Sequence, residues 1–392
     1  MTLKTQAKQM LEKQLIPFWS ALRDDQYGGY YGYMDFRLHL NKQAEKGCIL
    51  NSRILWFFSR CAKDLRRKDC LDNARHAYQF LMDYCLDEVN GGVYWSLEYN
   101  GRPLDTTKHT YVQAFAIYAL SAYYEASGDS RALETARQLF KLIEGRCRDQ
   151  GGYLEAFDRA FKPASNEKLS ENGVMAQRTM NTLLHVFEGY AGLYQASEDG
   201  TVRNAMEEIL DIYTNKIFDP LRCRQKVLFD SEYCSLIDLH SYGHDIESSW
   251  LMDWGTSLLQ DEPQMSRIAQ IDEYLASTIY ERAYRDHSVL NECERGVDDT
   301  RRVWWVQAEA VLGFLNQWEK TGKDCYRDAA VDIWHYINDV LVDTRPGSEW
   351  FWLVDEKGVP DQTRPIVEPW KCPYHNGRMC LEILRRNWDV PC

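Results

Sequence analysis

Segments rich in glycine and aromatic residues recur about every 60 residues along this chain and separate helical patterns from one another. The clearest are DDQYGGYYGYMDF (24–36), DEVNGGVYWSLEYNGRPLD (87–105) and DQGGYLEAFDRAF (149–161), with weaker copies at 218–230, 284–296 and 344–358. Glycine pairs followed by alternating aromatic residues are typical of short β-ribbons. A period of this length fits a helical hairpin joined to a structured loop.

The helical patterns between these loops are of two kinds. TYVQAFAIYALSAYYEAS (110–127) is apolar almost all round, whereas RALETARQLFKLIEGRCR (131–148) has an amphipathic stripe with a charged outer face. Inner and outer helices that alternate in this way predict an all-α (α/α)6 barrel of twelve helices, with short β-ribbons in the loops on the active-site face. Because no linker rich in proline, glycine or serine divides the chain, we expect one catalytic domain over residues 1–392 rather than two packed helical domains. The predicted helices span 5–21, 48–66, 68–87, 108–127, 129–147, 174–196, 199–217, 243–260, 262–284, 301–320, 322–342 and 371–387.

Charge and cysteine usage narrow the possible partners and location. The 392 residues include 46 Lys and Arg against 59 Asp and Glu, a formal net charge of −13, so a nucleic-acid partner is not expected. The first residues, MTLKTQAKQMLEKQLIPFW, have no apolar signal region, and no apolar run approaches membrane-spanning length. Twelve scattered cysteines without a C-x-x-C pair indicate reduced, mostly buried thiols. We therefore expect a cytoplasmic monomer with no membrane partner.

The inner helices of such a barrel all begin at one face, beneath the long loops. Helix N-termini present unsatisfied N–H groups that favour an anionic ligand or a developing oxyanion. Each polar residue near these ends could be a buried structural group if it were taken alone, but their convergence predicts a site. The candidate residues are Arg53, Tyr111, Asn181, His185, His244, Glu247, Trp250, Trp305, Glu309, Trp370 and His375.

Several common kinds of site find no support in the sequence. It contains no GxGxxG, GxxxxGK[ST] or G-x-S-x-G pattern, so nucleotide cofactors and serine-hydrolase chemistry are not expected. His240 lies four residues before His244, and Glu247 could complete a metal site with them, but no HExxH motif is present. We therefore expect neither a metal nor a cofactor.

Histidines on two sides of one carbon atom have a simple chemical use. Imidazole titrates near neutral pH, so one ring can remove a proton α to a carbonyl and the other can return one to the opposite face. The intermediate is an enediolate, whose charge would be stabilised by Arg53 and by N–H donors at the helix ends.

Long segments of the chain resemble the cellobiose 2-epimerases, within the N-acylglucosamine 2-epimerase superfamily. They cover nearly the whole length and match at the histidine positions. The segments are IPFW (16–19), GGYYGYMDF (28–36), KGCILNSRILWFFS (46–59), MNTLLHV (180–186), SYGHDIESSWL (241–251), WWVQAEA (304–310) and EPWKCPYHNGRMCLEI (368–383).

The resemblance implies an epimerase that converts the reducing-end glucose of a β-1,4-linked disaccharide, such as cellobiose or lactose, to mannose at C2. It implies that His375 and His244 are the acid/base pair and that Glu247 orients or tunes His244. Arg53, Asn181 and His185 would hold the C1 and C2 oxygens, while Glu309 and Tyr111 would bind hydroxyls or assist ring opening. Trp250, Trp305 and Trp370 would stack on sugar rings, although Trp304 could replace Trp305 in this role.

Other functions remain open from the sequence. An aldose–ketose isomerase, or a 2-epimerase of mannobiose or monosaccharides, would use the same enediolate. A glycoside hydrolase could use Glu247 and Glu309 as its paired carboxylates, although it would leave the histidines without a task. A sugar-binding or protein-interaction role without catalysis is the remaining alternative.

Overall fold

Twelve helices dominate the residues that the computed structural model describes, 1–170 and 172–392. Four of them, α1, α3, α7 and α11, include a five-residue π-helical segment, which is named separately in their bounds. The helices are α1 (Leu3–Met10, π Leu11–Leu15, Ile16–Ala21), α2 (Cys48–Asp64), α3 (Lys68–Phe80, π Leu81–Cys85), α4 (Thr110–Ser127), α5 (Ser130–Arg146), α6 (Met180–Ser197), α7 (Gly200–Ile212, π Tyr213–Ile217), α8 (Tyr242–Leu259), α9 (Glu262–Arg282), α10 (Trp304–Thr321), α11 (Asp324–Tyr336, π Ile337–Leu341) and α12 (His375–Arg385).

The even-numbered helices form a closed inner ring. Each contacts the next one in chain order, and α12 contacts α2. The odd-numbered helices pack outside them, with α1 against α12 and each of the others against the inner helix before it. Inner helices therefore bury most of their surface: in α4, every residue from Thr110 to Tyr123 is buried. The predicted (α/α)6 barrel is confirmed.

Short strands lie in the loops, where they pair both within one loop and between neighbouring loops. The strands are β1 (Lys46–Gly47), β2 (Ser96–Leu97), β3 (Pro103–Asp105), β4 (Lys108–His109), β5 (Arg148–Asp149), β6 (Gly152–Tyr153), β7 (Ala156–Phe157), β8 (Arg178–Thr179), β9 (Phe218–Asp219), β10 (Arg224–Gln225), β11 (Leu228–Phe229), β12 (Leu239–Ser241), β13 (Tyr284–Arg285), β14 (Ser288–Val289), β15 (Glu292–Glu294), β16 (Val297–Asp299), β17 (Arg302–Val303) and β18 (Leu353–Val354).

Pairing between these strands ties the roof of the barrel together. The strand that leads into an inner helix pairs antiparallel with a strand of the following loop, as β1 does with β2, β4 with β7 and β8 with β11. The same arrangement joins β12 to β15 and β17 to β18. An isolated bridge between Met34 and Val367 links the first loop to the last. The sequence predicted ribbons inside single loops, and the structure adds this belt between loops.

A buried basic residue precedes each inner helix and pairs with an acid. Lys46 Nζ lies 2.6 Å from Asp24 Oδ2, and Lys371 Nζ lies 2.5 Å from Glu349 Oε2. Such a pair offsets part of the cost of burying a lysine or arginine cation at the helix entrance. Including these two, the pairs are Lys46–Asp24, Lys108–Asp87, Arg178–Asp149, His240–Asp245, Arg302–Asp286 and Lys371–Glu349.

Two helix starts differ from the prediction by more than three residues. Helix α6 begins at Met180 rather than near 174, because Arg178 and Thr179 extend to pair with β11. Helix α12 begins at His375 rather than near 371. The side chain of Lys371 is held by Glu349, and residues 371–374 form bends, so the first helical turn begins only at His375.

All twelve cysteines are free thiols, and most of them are buried, as the sequence predicted. In the described part of the chain, helices that are long enough to cross a membrane are too polar to do so.

Candidate active site

A cavity of about 770 Å³, its open mouth included, lies at the N-terminal ends of the inner helices. Nine of the eleven predicted site residues line it, together with Trp304, which was the predicted alternative to Trp305, and three residues that the prediction did not include. The lining comprises Arg53, Tyr111, Asn181, His185, His244, Glu247, Trp305, Trp370 and His375 from the prediction, and Lys168, Leu169, Trp304 and Trp352 in addition.

His375, the first residue of α12, is oriented by a carboxylate below the cavity. Its Nδ1–H donates to Glu309 Oε1 at 2.7 Å, so the lone pair of the neutral ring lies on Nε2. Burial, with the positive charges of Arg378 and Arg53, holds the pKa of His375 well below its ordinary value. The free imidazole is therefore a neutral base.

His244, from the first turn of α8, is held by a neutral partner. Its Nδ1 lies 2.7 Å from the hydroxyl oxygen of Ser241. Burial, followed by the nearby charge of His185, lowers the pKa of His244 to about 3. The rings of His244 and His375 lie 4.8 and 5.3 Å from the indole of Trp305, measured between centroids. One tryptophan thus packs against two neutral imidazoles on different helices.

His185, on α6, forms a pair with Glu188 one turn later. Its Nδ1 lies 2.8 Å from Glu188 Oε2, which also accepts a hydrogen bond of 2.5 Å from the Tyr374 hydroxyl. Burial alone would raise the pKa of Glu188, but the charge of Arg378 and the bonds from His185 and Tyr374 lower it to about 2. Glu188 is therefore ionised, while burial lowers the pKa of His185.

Arg378 lies beneath the cavity and binds carboxylates from three helices. Its guanidinium donates to Glu188 Oε1 at 2.5 Å, to Glu247 Oε1 at 2.5 Å and to Glu309 Oε1 at 2.7 Å. It also contacts the hydroxyl of Tyr374. Arg378 is 1 % exposed, so these bonds lie in a medium of low dielectric, where charge-assisted hydrogen bonds are strong.

Glu247 is the carboxyl group of this cluster that also lines the cavity. Its Oε1 is bound by Arg378, while its Oε2 is buried without a hydrogen-bond partner among the described residues. Burial, followed by the charge of Glu309, raises the pKa of Glu247 to about 8. At neutral pH this carboxyl group is protonated, and its Oε2 makes no hydrogen bond to another described residue.

Arg53, on α2, brings a positive charge into the cavity wall. It donates to the Tyr111 hydroxyl at 2.9 Å, and its guanidinium lies 4.2 and 4.6 Å from the ring centroids of Phe115 and Tyr374. Among the residues that the structure describes, no carboxylate oxygen lies within 4.0 Å of it. A buried cation surrounded by aromatic rings and lacking a counter-ion favours an anionic ligand.

Tryptophan rings form much of the remaining wall. Trp304 and Trp305 both reach the cavity, but Trp304 is almost fully buried and Trp305 is partly exposed. Gly243 permits this arrangement, because a Cβ atom there would lie 2.4 Å from the Trp305 ring. Trp370 lies on another side, its ring centroid 5.9 Å from that of Tyr111.

Two predicted site residues lie below the cavity instead of on its wall, which corrects their expected contacts. Trp250 is 2 % exposed, packs on Arg378 and donates from Nε1 to Glu309 Oε2 at 2.9 Å, so its ring face is not free for a sugar. Glu309 is fully buried, and both its oxygens accept hydrogen bonds from protein groups. Glu247, expected beside His244, lies against Arg378 and 3.8 Å from His375 Nδ1.

The geometry also bears on metal binding. His240 bonds to Asp245 at 2.8 Å and does not join His244 and Glu247 in a ligand set. Elsewhere in the described chain, Glu247, Glu309 and His375 place ligand atoms within 4.8 Å of one another. The guanidinium of Arg378 already occupies the cation position between these two carboxyl groups.

Sequence reasoning missed the groups that support the histidines, although a simple signal was present. Each of the three histidines is followed three residues later by a charged residue, which an α-helix places on the same face. These followers are Glu188, Glu247 and Arg378. Only Glu247 was included among the candidates.

Comparisons with known proteins agree with this geometry. A family model described as N-acylglucosamine 2-epimerase (GlcNAc 2-epimerase) matches residues 29–376. The chain is 51% identical over 399 residues to a cellobiose 2-epimerase of Eubacterium cellulosolvens, covering 98% of each chain. Among solved structures, a sugar epimerase from a ruminal bacterium superposes with a TM-score of 0.98 at 44% identity, covering 99% of this chain and 100% of the other. A cellobiose 2-epimerase from Bacillus thermoamylovorans B4167 gives 0.94 at 42% identity, covering 98% and 99%. The chain therefore belongs to the N-acylglucosamine 2-epimerase family and is a carbohydrate epimerase, that is, an isomerase.

Proposed function

We propose that this epimerase converts the reducing-end glucose of β-1,4-linked disaccharides, cellobiose or lactose, to mannose by inverting C2. The observation that carries the proposal is the pair His244 and His375. They come from different helices, line one cavity, and have Nδ1 engaged so that Nε2 is the nitrogen left for a substrate. The similarity to cellobiose 2-epimerases over nearly the whole chain supports the choice of a disaccharide.

The sugar ring must open before C2 becomes acidic, because only the aldehyde form places a carbonyl next to this carbon. Glu247 is suited to give a proton to the ring oxygen, since its Oε2 has no partner in the described structure and burial raises its pKa. Tyr111, bound to Arg53, would hold the released hydroxyl. In this proposal Glu309 acts through His375 and not on the sugar directly.

Inversion then needs a base and an acid on opposite faces of C2. One imidazole removes the C2 proton and leaves a cis-enediolate, whose charge would be stabilised by Arg53, Asn181 and His185. After rotation about the C2–C3 bond, the second imidazole returns a proton to the other face. That imidazole must itself be protonated first, and it takes the proton that O1 releases when Glu247 protonates the ring oxygen. When the ring closes, the first imidazole gives the C2 proton to O1, and the ring hydroxyl returns its proton to Glu247.

The second sugar ring would lie nearer the mouth of the cavity, against Trp305, Trp352 and Trp370. Aromatic faces suit the apolar faces of pyranose rings. Lys168, which also lines the cavity, is paired with Asp105 at 2.6 Å. The hydrolase alternative loses support, because Glu309 does not line the cavity and shares Arg378 with Glu247.

We further propose that residues 1–392 act as one catalytic domain and as a monomer in the cytoplasm. Free thiols that include the exposed Cys234 and Cys325 support a reducing compartment. Sedimentation of the purified protein tests the monomer directly, and a stable dimer would contradict it.

Incubation with cellobiose in D₂O, followed by NMR of the products, tests the proposed reaction. We expect a mannose-ended disaccharide with deuterium at C2. Free glucose would indicate a hydrolase, a 2-keto disaccharide an isomerase, and unchanged cellobiose a binding protein or another sugar as substrate. His375→Asn should abolish turnover, whereas His335→Asn, on the exposed side of α11, should not. An active His375→Asn variant would overturn the two-histidine mechanism.

A further inference from the structure

Arg378 has no place in the chemistry derived above, yet it is the most highly connected polar residue described beneath the cavity. It lies one turn after His375 on α12 and is 1 % exposed. A lone buried cation could be neutralised by one carboxylate, but this one binds three acidic side chains, ionised or protonated, from α6, α8 and α10. Neutralising the charge of Arg378 does not require so many acids. Its contacts therefore indicate that Arg378 also fixes the positions of these acidic side chains.

Two of the three carboxylates orient histidines. Glu188 holds Nδ1 of His185 at 2.8 Å, and Glu309 holds Nδ1 of His375 at 2.7 Å. We infer that Arg378 is a positioning residue that joins these two carboxylate–histidine pairs, called arms below, so that His185 and His375 are oriented by one guanidinium. The inference rests on the proposed function in assigning these imidazoles to the reaction.

The shape of the guanidinium group fits this task. One terminal nitrogen donates to Glu188 and the other to both Glu247 and Glu309, in directions fixed by a planar group. A lysine ammonium group would keep the charge but would concentrate its donors on one atom. Replacing Arg378 by lysine should therefore show whether the directions of its hydrogen bonds matter when its charge is kept.

Other charged and titratable groups around the cluster complete its surroundings. Tyr374, on the segment before α12, donates to Glu188 and contacts Arg378, while Tyr118 faces the cluster from α4. From α2, the charge of Arg53 reaches His375. Within the cluster, His185, His375 and Glu247 line the cavity, whereas Arg378 does not.

The test compares Arg378→Lys with Glu188→Gln and with the control Arg385→Lys. Arg385 lies two turns further along α12, where it pairs with Glu382 and is not among the described residues that line the cavity. For each variant, nitrogen-15 NMR of the histidine rings without substrate reports the tautomer and pKa of His185 and His375. Initial rates with cellobiose give kcat and KM, and thermal unfolding measures the folded fraction.

Arg378→Lys should shift the signals of both imidazoles and lower kcat by roughly 10- to 100-fold, the usual effect of misplacing reacting groups. Glu188→Gln should shift His185 and leave His375 unchanged, and Arg385→Lys should leave both unchanged. The inference is overturned if Arg378→Lys leaves both imidazole signals as in the wild type, or if Arg385→Lys lowers kcat equally.

Two safeguards keep the result interpretable. If Arg378→Lys does not fold, Tyr374→Phe removes the hydroxyl shared by Arg378 and Glu188 without changing charge. It should shift the His185 signal, and an unshifted signal would count against the inference. If the wild-type enzyme leaves cellobiose unchanged, the proposed function fails, whereas the NMR signals, recorded without substrate, still decide whether Arg378 joins the two arms.

Discussion

Replacing Glu309 by glutamine tests whether His375 depends on a carboxylate for its orientation. Glu309 accepts from three donors: His375 Nδ1 at 2.7 Å and Arg378 at 2.7 Å on one oxygen, and Trp250 Nε1 at 2.9 Å on the other. Glutamine has nearly the same shape but presents an oxygen at one end and an NH₂ group at the other. Whichever way the amide is placed, a donor faces a donor.

The size of the effect follows from the number of bonds that remain. A hydrogen bond to a charged group contributes roughly 1.5–3 kcal/mol. If one such bond is lost from the orientation of His375, kcat should fall roughly 10- to 150-fold. KM should change less than about threefold, because Glu309 lies outside the cavity lining.

Glu144→Gln is a matched control for this experiment. Glu144, on the outer helix α5, also accepts from three donors, Tyr153, Tyr190 and Arg148, but it lies away from the cavity. Both variants should lose stability, and only Glu309→Gln should lose kcat per folded molecule. A kcat within about threefold of wild type, or a rise in KM alone, would refute the assigned orientation of His375.

Three further predictions concern the same network and its surroundings. Trp250→Phe keeps the ring and removes the N–H that binds Glu309, so kcat should fall roughly tenfold with KM unchanged; a rise in KM alone would restore a stacking role to Trp250. Glu247 donates its proton only below its raised pKa of about 8, so kcat should decline as pH rises through that value, and the pH–rate profile of Glu247→Gln should lack this limb. Burial, followed by the charge of Lys168, lowers the pKa of His109 to about 4 in the folded protein. Between this pH and the ordinary pKa near 6.5, His109 is protonated in the unfolded chain but not in the folded one, so the free energy of unfolding falls as pH decreases. His109→Gln should reduce the loss of unfolding free energy between pH 7 and pH 5 by about 2 kcal/mol in denaturant titrations, and an equal loss would contradict the assignment.

The sequence predicted a shared face for pairs of polar residues on individual inner helices. Spacing of three or four residues fixes a shared face, so Asn181 with His185 and His244 with Glu247 were correctly expected to point the same way. The positions of the long loops predicted the end of the barrel at which these side chains converge. These are local properties of a helix, and they do not require knowledge of its neighbours.

Depth along the barrel was harder to predict. Trp250 lies eight residues after the start of α8, about 12 Å along the axis at 1.5 Å per residue, and so below the cavity. Glu309 lies no deeper in α10 than His185 does in α6 or Glu247 in α8. Its bonds to His375, Arg378 and Trp250 hold it off the wall. The Arg378 cluster gathers side chains from four helices, and its existence depends on how those helices are rotated against one another.

The paired acids and bases at the inner-helix entrances have a consequence for how this protein can change. None of the six basic residues, from Lys46 to Lys371, lines the cavity, so the pairs, five of which join two parts of one loop, are separate from the surface that a ligand meets. Cavity residues such as Trp305 or Trp352 can therefore be exchanged without loosening the loops that carry their neighbours. A library that varies the wall and keeps the six pairs should yield mostly folded proteins, and new sugar preferences should arise there at little expense in thermal stability.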